Sequence, residues 1–111
     1  MRWNALRQPL NSTSLESRLA GLAAAGEIVK YGALAREFGL RIADLTFMLE
    51  ALMEVDAAKG RPLHAALCSG RLTQEMPAEG FFLKALALGF DIHDRARFVQ
   101  DQRLELHRLH R

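Results

Sequence analysis

A single cysteine, a single tryptophan, a single tyrosine and three prolines are all that this chain holds of the residue types that constrain a backbone most. With Cys68 alone, no disulfide can close within the chain and no thiolate metal cluster can form. No apolar run approaches the roughly 20 residues of a membrane helix, and the opening stretch MRWNALRQPLNSTS lacks the apolar core of a secretory signal. The expectation is a soluble, cytoplasmic protein with no membrane association. Charge of one sign is scarce too. Fifteen Lys and Arg face thirteen Asp and Glu for a net charge of +2, which excludes a disordered polyelectrolyte and leaves only a mild bias toward polyanions through the dominance of arginine.

Chemistry-bearing patterns are equally sparse. No glycine-rich phosphate loop and no nucleophile beside a base occurs. The four histidines, His64, His93, His107 and His110, show no metal-ligand spacing, and the last two read as a solvated helix end. Neither a cofactor, a metal nor a small-molecule substrate is expected, and the protein is not expected to be an enzyme.

What is present is apolar residues at helical spacing. Half of the 111 residues are hydrophobic, enough for one compact domain. Residues 1–13 show no sustained period and read as an N-terminal arm able to dock through Trp3 and Leu6; the domain is expected over 14–111. Ser14 is placed to cap a first helix that Gly26 ends. Ile28 and Val29 suggest a brief strand over 27–30, and a second helix follows from about Gly32 to Phe38. Gly39 suits a tight turn, and a third helix should run from Arg41 to Ala58. The apolar run PLHAALCS predicts a buried strand over 62–69, with a further strand near RLTQE. Two C-terminal helices, over 77–89 and 92–109, complete a mainly α chain with a small sheet; Pro77 opens the first and Asp91 or Asp94 caps the second.

Residues 31–50, YGALAREFGLRIADLTFMLE, carry the most specific pattern. Leu34, Ala35, Phe38, Gly39, Leu40, Leu45 and Met48 stand where two short helices crossing at a sharp turn need apolar, small and left-handed residues. The stretch resembles the helix-turn-helix superfamily, and the element order resembles a winged helix-turn-helix domain with its wing over 59–76. That resemblance implies a nucleic-acid-associated or transcription-regulatory binding module. It implies base-facing positions at Arg41, Ile42, Ala43, Thr46 and Phe47, and phosphate contacts from Lys30, Arg36, Arg61 and Arg71.

The third helix itself argues against groove reading. On a wheel of about 100° per residue, Leu45, Met48, Leu49, Leu52, Met53 and Val55 share a core face. Between Ile42 and Ala58 there is no Lys or Arg, whereas Asp44, Glu50, Glu54 and Asp56 are acidic. Four carboxylates in a groove repel the phosphate backbone. The alternative is a protein-interaction or homodimerisation module that presents Phe47 among Glu50, Ala51 and Glu54. The segment KYGALA is also similar to one in the alkylguanine alkyltransferase family. Cys68, however, sits in Leu-Cys-Ser-Gly, without the His and Arg that follow that family's nucleophile, and reads as packing.

Overall fold

The computed structural model describes residues 12–111. Five α-helices and two very short strands make up the described chain: α1 (Ser12–Ala25), β1 (Val29–Lys30), α2 (Tyr31–Phe38), α3 (Ile42–Ala58), a 3-10 helix (His64–Leu67), β2 (Cys68–Ser69), α4 (Glu79–Ala87) and α5 (Arg95–His110). The strands pair in parallel, Val29 opposite Cys68 and Lys30 opposite Ser69. No described helix is long and apolar enough to cross a membrane. Trp3 and Leu6 lie outside the described residues. Ser12 and Thr13, which the arm was expected to include, already belong to α1, so Ser14 lies inside that helix rather than capping it.

The turn between α2 and α3 forms as the spacing requires. Gly39 takes the left-handed conformation at φ 67°. Its N–H donates to the carbonyl of Arg36, and that of Leu40 to the carbonyl of Ala35 at 2.8 Å, which closes the helix end. Leu34 and Ala35 are buried beneath it and Leu45, Leu49, Leu52 and Met53 of α3 enter the same core. Val55, assigned to that face, is instead 39% exposed. α5 lies along α1, and both pack on the 3-10 helix. Leu15, Leu19, Leu22, Val99 and Leu106 fill the space between them.

Two strand expectations are corrected. Over 62–69 only Cys68 and Ser69 form a strand; the backbone N–H of His64 bonds to the buried carboxylate of Asp56 at 2.9 Å and the chain coils into a 3-10 turn there. Residues 71–75 form turns rather than a strand. Gly70 starts this loop, and a Cβ on it would lie 2.8 Å from Thr73 Cγ2, so the close approach requires glycine. The Thr73 hydroxyl accepts from the Gly70 N–H at 3.0 Å, and the Arg103 guanidinium from α5 donates to the carbonyls of Ala66 and Glu75, both at 2.7 Å. Region 59–76 therefore holds no hairpin, and the parallel pair stands where a wing would need antiparallel strands.

Candidate phosphate cleft and the hollow beside it

Residues at the junction of β1, α2 and the loop after β2 build one open cleft of about 430 Å³. It is lined by Lys30, Tyr31, Gly32, Ala33, Arg36, Ile42 and Arg71. Each cation arrives by a different route. Lys30 is the last residue of β1 and the residue before the first turn of α2; Arg71 projects from the loop that Gly70 and Thr73 close. Arg36 is one helical turn beyond Gly32, and a Cβ on Gly32 would lie 3.7 Å from its Nη1, so the guanidinium reaches back over the start of α2. None of the three forms an ion pair with a described residue, and no acidic side chain lines the cleft.

The backbone adds to this charge. The first N–H groups of any helix lack intrahelical acceptors and carry the positive end of the helix dipole. No side chain caps α2, and the residues bearing those amides, Gly32 and Ala33, line the cleft. Three cations and an uncapped helix start on one surface are groups whose charge and N–H donors complement anionic oxygen.

A second hollow, of about 160 Å³, abuts the cleft and shares Tyr31 and Ile42 with it. Leu49, Met53, Ala65 and Phe81, all buried, form its floor, while Thr46, Glu50 and Gly80 stand at its sides. The Tyr31 hydroxyl accepts from the Ala78 N–H at 3.0 Å, and burial pushes its pKa up to about 12, so it keeps its proton. Neither the Glu50 carboxylate nor the Thr46 hydroxyl has a hydrogen-bond partner among the described residues.

The remaining residues singled out from the sequence divide. Arg61 is committed to carboxylates and lies outside the cleft lining: its Nη2 and Nε donate to Asp56 Oδ1 at 2.8 and 3.1 Å, and Nη1 to Glu16 at 3.2 Å. Arg41 is exposed but bonded to Asp44 at 3.2 Å. Thr46, half-buried, lines the hollow, and Ile42, exposed, lines both the hollow and the cleft. Of the interface residues, Phe47 is 75% exposed, Ala51 is half-buried, and Glu54 pairs with Lys84 of α4. Burial raises the Cys68 thiol to about 12, well away from a reactive thiolate.

One cluster escaped the sequence reading. Asp56, one of the four carboxylates set against groove binding by α3, is fully buried. Its Oδ2 accepts from His64 Nδ1 at 2.9 Å, and His64 Nε2 meets His110 Nε2 at 2.8 Å. With the Nδ1 proton directed to Asp56, the His64 Nε2 lone pair accepts from His110 Nε2–H. His107 donates from Nδ1 to the Ala23 carbonyl at 2.8 Å. The terminal histidines, both half-buried, thus fasten α5 to α1 and the 3-10 helix. Among the described residues no three His, Cys, Asp or Glu side chains converge on a metal-sized site. No family model matches the chain, and no curated protein or solved structure matches it either.

Proposed function

We propose that the protein is a non-catalytic, helix-turn-helix-like binding module that grips the phosphate backbone of nucleic acid with the start of α2 and the loop after β2. The observation that carries this reading is the convergence of Lys30, Arg36 and Arg71, none of them paired, on one cleft. Phosphate neutralisation by unpaired cations supplies most nucleic-acid affinity, and cations already bound to carboxylates supply little. α3, which carries four carboxylates, does not enter a duplex groove in this account. The element order supports a likeness to winged helix-turn-helix domains; the parallel strand pair argues for contact without a wing.

The test is fluorescence anisotropy of a labelled oligonucleotide at low ionic strength. The wild-type chain should bind, and Lys30→Glu with Arg71→Glu should abolish binding while circular dichroism stays unchanged. Binding that survives both reversals would refute the cleft.

A second reading rests on the exposure of Phe47, 75% open on the surface of α3. An aromatic ring so placed is the type of anchor that protein interfaces bury, and it supports a homodimer or protein partner contacted on this face. Phe47→Glu should then lower the mass seen by light scattering or abolish partner capture; an unchanged monomer without partners ends that reading.

A further inference from the structure

The phosphate cleft and the apolar hollow share a wall, Tyr31 and Ile42, and differ in every other respect. On one side stand three cations. On the other is an apolar slot with aromatic residues Tyr31 and Phe81 in its lining and one acceptor-only group, Glu50. A ligand that complements both has an anionic group at one end, a flat ring in the middle, and a hydrogen-bond donor beyond the ring. That is the layout of a nucleotide unit with an amino-bearing base.

We propose that the hollow takes one unstacked base carrying an exocyclic amino group, cytosine above all, from a single strand whose phosphates lie in the adjoining cleft. The proposal rests on the phosphate-binding reading and specifies its ligand. A hollow of about 160 Å³ admits one ring rather than a stack. Aromatic and apolar walls suit any base, because each has a π face. Selectivity comes from Glu50. Its carboxylate can only accept, so it matches the amino group of cytosine and opposes the carbonyl oxygen that uracil places at the same ring position. Thr46 and the retained Tyr31 proton remain for the ring's acceptor atoms. Duplex DNA fits this arrangement poorly, since its bases are stacked and paired, whereas a single strand yields a base at small cost.

The experiment compares a labelled oligodeoxycytidylate with the matching oligodeoxyuridylate, each of about twelve nucleotides, a length in the range of single-strand sites. The two differ at each base only on one edge, where cytosine has an amino group and an N3 lone pair and uracil a carbonyl and an N3–H. Wild-type protein should prefer the cytosine strand by about tenfold, the discrimination expected of one well-placed base contact. Glu50→Gln, whose amide can donate as well as accept, should bring the ratio near one while the salt dependence stays the same. In parallel, free deoxycytidine should shift the Met53 methyl resonance and deoxyuridine should not. Equal binding of the two strands, with Met53 unmoved by either nucleoside, overturns this proposal and leaves the phosphate cleft standing. Failure of both strands to bind at low salt overturns the phosphate reading and this proposal with it.

Discussion

Asp56 shows most plainly how much one side chain can organise. Its buried carboxylate receives the Arg61 guanidinium on one oxygen and both the backbone N–H and ring N–H of His64 on the other. Deleting it leaves the two buried His64 donors unpaired and the partly exposed Arg61 with Glu16 alone, so Asp56→Ala should destabilise the fold by about 3 kcal/mol, read from chemical denaturation. A loss comparable to that of an exposed acid, within about 0.5 kcal/mol, would contradict the cluster's structural role. His110, at the far end of the chain of contacts, has its pKa lowered first by burial and then by His64, with Arg61 acting in the same direction and Glu16 and Asp56 opposing. The unfolded chain therefore binds this proton more readily than the folded one. The contribution is fully present above the ordinary value of 6.5 and is lost as pH falls from there toward the folded pKa. Thermal midpoints at about pH 7.5 and 5.5 should diverge more for the wild type than for His110→Gln, which keeps a donor to His64 without titrating. Equal divergence would remove His110 from the pH response.

At the scale of elements, the crossing of α2 and α3 depends on Gly39. At φ 67° an L side chain is strained, so Gly39→Ala should cost about 1 kcal/mol with an otherwise intact fold. An unchanged denaturation midpoint would show that the turn relaxes. This crossing was legible in the sequence, because local spacing dictates it: Leu34, Ala35 and Gly39 lie within one turn motif, and Leu45 and Leu49 recur at helical period. The stretch 62–69 was not legible. Its apolar run matches a strand, yet Asp56, eight positions before His64, holds the chain in a 3-10 turn. A run of neighbouring residue types carries no trace of such a bond. For the same reason Arg61 looked like a free cation: its partners stand 5 and 45 positions away. Val55, expected in the core, is exposed while its neighbour Asp56 is buried, because Arg61 and His64 provide the charge and hydrogen bonds that let a carboxylate enter the core.

Across the whole molecule, charge is nearly balanced but unevenly committed. Arg61 and Arg103 serve the interior and the loop after β2, and Arg18, Arg41, Lys84, Arg95, Arg97 and Arg108 stand beside carboxylates. Lys30, Arg36 and Arg71 form no ion pair with described residues and share a single cleft. The cleft residues were named individually from the sequence, but their convergence depends on β1 lying beside β2, which places Lys30 opposite Ser69 and hence near Arg71. The most direct test of this arrangement is the salt dependence of single-strand binding. Three phosphate contacts should give a slope of log K against log salt of about −2, falling toward zero when Lys30, Arg36 and Arg71 are all replaced by alanine. A slope unchanged by those replacements, or binding indifferent to salt from the outset, would contradict the account.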